Sequence, residues 1–211
     1  MSSLSPVWVK ICGVRTVEAA LHAQANGADA IGINLHPPSP RFVDPRVAKK
    51  IQAAISIPAY LVVVNYTLPD LKRLWKETQP AGFQFHGENP EAMAKTLGHP
   101  FLAAYRADEN LELTLGKIKS SRILLDAFHP VLHGGTGRQV SHELALMACL
   151  QKEVILAGGL NPDNVADAVQ SLPLWGVDVA SGVEQSPGKQ DFDKIAAFIS
   201  SAKQARGRAI E

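Results

Sequence analysis

The side chains best suited to chemistry in this sequence are a thiol and a carboxyl group, Cys12 and Asp126. Each lies at the end of a short apolar run, Cys12 closing "VWVKIC" and Asp126 following "RILL". Two other polar groups share this placement: His86 closes "GFQFH" and Asp178 lies within "GVDV". Two glycine-bearing turns suit a different task. "LAGGL" at 156–160 and "ASGVE" at 180–184 would let backbone N–H groups approach an anion closely through Gly158, Gly159, Ser181 and Gly182, with a helix start just beyond to add positive dipole. No matching glycine pair follows "VVVNYT" or "FHGEN", so one phosphate group is implied rather than two. In the proline-stiffened "PPSPR" at 37–41, the planar fork of Arg41 is suited to a carboxylate.

Positioning such groups requires a repeating scaffold, and the chain alternates throughout. Short runs rich in Val, Ile, Leu and Phe predict strands over 7–12, 30–35, 59–64, 82–86, 101–106, 122–127, 153–158 and 176–181. Helical spacing predicts helices over 16–26, 44–55, 68–78, 90–97, 110–119, 141–151, 162–171 and 191–205, with Thr16 and Asp163 as capped starts. Eight strand–helix cycles in 211 residues predict an α/β fold, a single (β/α)8 barrel over 1–211, with a doubly wound sheet as the alternative. Side chains alternate along a strand. Setting the apolar members toward the helices therefore turns Lys10, Cys12, Gln84, His86, Asp126 and Asp178 into the barrel. Buried polar groups need partners. The first and eighth strands become neighbours on closure, which predicts a buried Lys10–Asp178 ion pair beneath Cys12, with the cation favouring thiolate.

Bulk properties narrow the class. A net charge of +1 gives no broad pull toward nucleic acid or an anionic membrane. No run approaches the roughly 18 apolar residues of a membrane span, and the N-terminus lacks a secretory pattern. Two cysteines make no disulfide framework, so free thiols and a cytoplasmic setting are expected. Cys149 in "LALMACLQ" reads as core, in a stripe with Leu146 and Leu150. His22, His99, His129 and His142 lack ligand spacing, so no metal is expected. "HGGTGR" at 133–138 suits a loop over a ligand and is not a Walker motif.

Taken together, "KICG" (10–13), "PPSPR" (37–41), "FQFHGE" (83–88), "LLDAF…GGTG" (124–137), "LAGGLNPDNV" (156–165) and "VDVASGVEQSPG" (177–188) resemble the phosphoribosylanthranilate isomerase family of tryptophan biosynthesis, in its order and over almost the whole chain. The resemblance implies a single barrel with no metal or organic cofactor, acting on a small phosphorylated substrate as a monomer or homodimer. It implies an Amadori rearrangement with Cys12 as general base and Asp126 as general acid. Arg41 would hold the anthranilate carboxylate, and the backbones of Gly158, Gly159, Ser181 and Gly182 the phosphate. His86 and Asp178 would line the site. The acid must start protonated, so partial burial of Asp126 is expected to raise its pKa. The other readings are a histidine-pathway sugar-phosphate isomerase and a non-catalytic phosphate-ligand-binding barrel.

Overall fold

The computed structural model describes residues 6–87, 90–127 and 141–205. Eight parallel strands close into a barrel in chain order: β1 (Trp8–Ile11), β2 (Ala30–Asn34), β3 (Ala59–Val64), β4 (Gly82–His86), β5 (Phe101–Ala107), β6 (Arg122–Ala127), β7 (Glu153–Leu156) and β8 (Gly176–Val179). A helix follows each: α1 (Val17–Ala25), α2 (Pro45–Ala54), α3 (Leu68–Thr78), α4 (Pro90–Leu97), α5 (Leu111–Leu115), α6 (His142–Cys149), α7 (Val165–Ser171) and α8 (Phe192–Gln204). Between β8 and α8 lie a 3-10 turn, Ser181–Val183, and a small antiparallel hairpin, β9 (Glu184–Ser186) and β10 (Lys189–Gln190), which the sequence pattern did not predict.

The alternation expected of each strand is realised. Val9 and Ile11, Ile31 and Ile33, Leu61 and Val63, and Phe83 and Phe85 pack in the main core under the helices. Leu102, Ala104, Leu124, Ile155 and Ala157 fill the barrel from within. Its lower end is closed by aromatic rings. Trp8 and Trp175 pack with centroids 5.1 Å apart, and the guanidinium of Arg122 lies 3.4 Å above the Trp175 ring while pairing with Glu153. Asp29 ties this end to the last helix by accepting from Val9 N–H at 2.7 Å and from Lys203.

Helix starts follow capping chemistry. Thr16 Oγ1 accepts from Ala19 N–H at 3.1 Å, and Asp44 and Thr67 cap α2 and α3 with proline in the first turn. Asp163 is not the cap of α7. Asn161 and Asn164 instead form a side-chain-bonded turn, and the helix begins at Val165. α5 is shorter than its pattern, closing at Leu115 with Gly116 as its C-cap. Cys149 is buried as expected, but Leu146 and Leu150 are exposed: Ala145 and Ala148 are its companions in the core.

Candidate active site

The structure brings most of the expected site residues to the C-terminal end of the barrel. One cavity there is walled by Cys12, Arg41, His86, Asp126, Asp178, Gly158, Gly159 and Ser181. Sequence places these groups as many as 169 positions apart, and closure gathers them. Asp126, at the end of β6, is half-buried and stands in register with Arg106 of β5. Gly182 lies one residue outside the wall. Its backbone abuts Leu160, whose carbonyl oxygen leaves no room for a Cβ there. The 3-10 turn can therefore seat directly on the loop after β7. That loop bends through positive φ at both Gly158 (84°) and Gly159 (71°), and these line the cavity together with Ser181.

Beneath the cavity, β1 and β8 pair with Lys10 opposite Asp178. The ammonium Nζ donates to Asp178 Oδ1 at 2.6 Å, with the lysine fully buried and the aspartate side chain 7% exposed. Burial alone would lower the Lys10 pKa, but the Asp178 carboxylate, joined by the Cys12 sulfur in its ionised form, outweighs it and holds the group above its ordinary value. Burial pushes the Asp178 carboxyl the other way, up from its ordinary value, against the pull of the ammonium. The short contact decides for the ion pair, because neutralising one partner would strand the other's charge in the interior. Asp178 thus serves Lys10 directly, and its place in the cavity wall is that of a buried counter-ion.

The expected pull of the cation on Cys12 is present but does not prevail. The ammonium does favour the thiolate, but desolvation outweighs it and Asp178 adds repulsion, so the thiol is pushed up to about 11. A cation beneath a sulfur is not sufficient when both lie out of water. The room for this stack comes from Gly32 on β2. A Cβ there would lie 2.7 Å from Cys12 Sγ and 3.2 Å from Lys10 Nζ.

Arg41 sits on the rim with an unexpected partner. Its Nε and Nη2 donate to the two carboxylate oxygens of Glu184 at 2.8 and 2.7 Å, and both side chains are largely buried. The side-on edge of the guanidinium fork is therefore occupied, and the carboxylate clamp read from sequence can use only the end-on edge bearing Nη1. Asn34 and Ser39 build the loop behind it. Asn34 Oδ1 accepts from His36 N–H, its Nδ2 donates to Ser39 Oγ, and that hydroxyl accepts from Arg41 N–H. Gly13, at φ 73°, lets the chain turn at the end of β1 where a side chain would collide with Arg41 Cδ. His86 accepts or donates at Nε2 opposite Gln84 Nε2, 2.7 Å away.

Sequence reasoning missed Glu184, Gly32 and the Asn34–Ser39 clasp. Gly32 had a signal, as a residue without a side chain at an inward position between Ile31 and Ile33. Glu184 had none, because its role depends on a hairpin that crosses to another loop. The "HGGTGR" segment at 133–138 lies outside the described residues. Among the described residues no group of three His, Cys, Asp or Glu side chains is arranged to hold a metal ion, and no helix is long and apolar enough to cross a membrane.

Comparison with known proteins agrees with this geometry. Residues 9–201 match the family model for N-(5'-phosphoribosyl)anthranilate (PRA) isomerase. An N-(5'-phosphoribosyl)anthranilate isomerase from Geobacter sp. (strain M21) is 38% identical over 200 residues, 92% of this chain and 97% of that protein. One from Neisseria gonorrhoeae (strain ATCC 700825 / FA 1090) is 37% identical over 198 residues, 92% of this chain and 95% of that protein. The crystal structure of the Thermotoga maritima phosphoribosyl anthranilate isomerase superposes with a TM-score of 0.86 at 33% identity, covering 93% of this chain and 98% of that one. A phosphoribosyl anthranilate isomerase solved in complex with reduced 1-(o-carboxyphenylamino)-1-deoxyribulose 5-phosphate superposes at 0.82 with 32% identity, over 93% of this chain and 98% of that one. With its closed barrel and these matches over almost its whole length, the chain belongs to the N-(5'-phosphoribosyl)anthranilate isomerase family.

Proposed function

We propose that the chain converts N-(5'-phosphoribosyl)anthranilate to 1-(o-carboxyphenylamino)-1-deoxyribulose 5-phosphate in tryptophan biosynthesis, with Cys12 as general base and Asp126 as general acid. The observation that carries the assignment is the shared cavity: thiol, carboxyl group, anion cradle and rim arginine open into one space. The phosphate takes the backbone of Gly158, Gly159, Ser181 and Gly182, and the anthranilate carboxylate takes the end-on edge of Arg41. Opening the ribose ring requires a proton on the ring oxygen, which Asp126 donates. The resulting iminium makes the C2 proton acidic, and Cys12 removes it to give the enolamine. In the last step the Cys12 thiol returns its proton to C1 and the Asp126 carboxylate takes one from the C2 hydroxyl, restoring thiolate and carboxyl group. Each acid–base contribution is worth roughly 10²–10⁴ in rate.

Because the free protein holds Cys12 as thiol, the base-competent form is a small fraction at neutral pH. Lys10 keeps that fraction from being smaller still. The two free thiols, both buried, support a reducing, cytoplasmic setting. The T. maritima relative has been solved as monomers derived from a dimeric enzyme, so monomer and homodimer are the forms to look for in solution.

The test is fluorescence-monitored turnover of phosphoribosylanthranilate by wild type, Cys12→Ala and Asp126→Ala. Turnover by the wild type and at least about a hundredfold loss in each folded variant are expected. Failure of the wild type, or full activity in either variant, overturns the assignment.

A further inference from the structure

Gln84 is a long polar side chain in the barrel interior to which the steps above give no task. It is 1% exposed, belongs to the cavity wall, and stands two residues before His86 on the same inward face of β4. Its Nε2 lies 2.7 Å from His86 Nε2, while its Oε1 is buried and meets no hydrogen-bond partner among the described residues.

Those facts decide which ring nitrogen carries the proton. An amide nitrogen only donates, so opposite it the imidazole Nε2 must accept, and the ring proton then sits on Nδ1. Turning the amide over would set Oε1 against an Nε2–H and place the NH2 group, with its two donors, at the buried position where the oxygen now meets no partner among the described residues. A buried donor without a partner is the rarer and costlier fault than an undersatisfied carbonyl oxygen. The orientation with the orphaned oxygen is therefore the better of the two.

We propose that Gln84 is a positioning residue that holds His86 as the neutral Nδ1–H tautomer in the wall of the active site. The inference rests on the isomerase reading of that cavity and deepens it. A neutral ring there cannot act as a second proton donor beside Asp126, so proton traffic stays with the carboxyl group and the thiol. The ring's proton is then committed to Nδ1. Among the described residues, the titratable and charged groups that share the cavity wall or the adjacent strand with it are Cys12, His36, Asp126 and Asp178, Arg41 on the rim and Arg106 on β5. They include charges of both signs, and Gln84 is in direct hydrogen-bonding contact with the ring at Nε2.

Long-range ¹H–¹⁵N correlation on the full-length protein reads the tautomer directly, with His86 assigned by its loss in His86→Asn. The wild type is expected to show a protonated Nδ1 and an unprotonated Nε2 near neutral pH. Gln84→Glu replaces the donor by a group that only accepts, so Nε2 must take the proton. The ring signals then move to the Nε2–H or imidazolium pattern, and kcat falls at least about tenfold with a smaller change in KM. A purely structural Gln84 would lower the melting temperature when changed to Met and leave the ring pattern as in the wild type. An Nε2–H or imidazolium pattern in the wild type, or an unchanged pattern in a folded Gln84→Glu or Gln84→Met, overturns the proposal. A wild type that shows the expected tautomer but does not turn over phosphoribosylanthranilate overturns the isomerase reading and leaves the tautomer assignment standing.

Discussion

A single added methyl group tests the stack that holds Cys12, the proposed base. Gly32 faces the barrel interior with ordinary strand geometry, so alanine brings no backbone strain and acts only through its Cβ. That atom would lie 2.7 Å from Cys12 Sγ, 3.1 Å from Lys10 Cε and 3.2 Å from Lys10 Nζ. Comfortable contacts between such atoms are about 3.5–4.0 Å, so the sulfur must retreat by roughly 1 Å or take the strand with it. Misplacing a reacting group by about 1 Å costs on the order of 10²-fold in rate, about 2.7 kcal/mol in the barrier. Overpacking adds about 1–3 kcal/mol of lost stability. Initial rates of phosphoribosylanthranilate turnover, with urea unfolding in parallel, should therefore show kcat/KM down about a hundredfold in Gly32→Ala, mainly through kcat, while the protein still folds. Gly116→Ala is the control, because its Cβ would meet nothing closer than 3.9 Å and its φ of −63° suits any residue. If Gly32→Ala stays within about threefold of wild type, the sulfur is not the positioned reacting atom and the account of the base is wrong.

Lys10→Met strands the Asp178 carboxylate in the interior and should cost about 3–5 kcal/mol in urea unfolding, whereas the double variant with Asp178→Leu should recover most of it; equal losses in both would show that the pair is not a coupled ion pair. Ultraviolet thiolate titration against a Cys149→Ser background should place Cys12 near 11 in the wild type and higher in the folded Lys10→Met variant, and a midpoint below the ordinary thiol value would refute the dominance of burial. Stability also follows this shift. The folded thiol keeps a proton that the unfolded chain loses from about pH 9, so stability falls as pH rises from about 9 to about 11, by roughly 3 kcal/mol in total. The raised Lys10 acts in the same direction, and the difference between wild type and Cys12→Ala across that window isolates the thiol. Gly182→Ala should force the 3-10 turn off the Leu160 carbonyl and weaken the phosphate cradle, raising KM more than it lowers kcat and weakening competitive inhibition by inorganic phosphate; an unchanged KM would remove Gly182 from the cradle.

Much of this protein is written locally. Apolar and polar residues alternate with the period of a strand, and helical spacing follows each time, so eight cycles and the barrel are legible without coordinates. The same alternation, applied to "VWVKIC", "GFQFH", "RILLDA" and "GVDV", tells which polar groups face inward, because neighbouring side chains on a strand must point to opposite faces. Glycine pairs at 158–159 and at the Ser181–Gly182 turn declare themselves by composition.

Only the tertiary structure could decide the rest. The Lys10–Asp178 pair was expected from alternation and closure, but its 2.6 Å contact across 168 residues needed β1 and β8 to close in the right register. Glu184 finds Arg41 because a short hairpin carries it across to another loop, which no periodicity marks. The state of Cys12 shows the reason most clearly. Sequence supplies the cation beside the sulfur, but the sign of the shift is a difference between two large terms, attraction to Lys10 and loss of water. The first can be read from which residues are near one another. The second depends on how completely the folded barrel excludes solvent, and here that exclusion outweighs the charge.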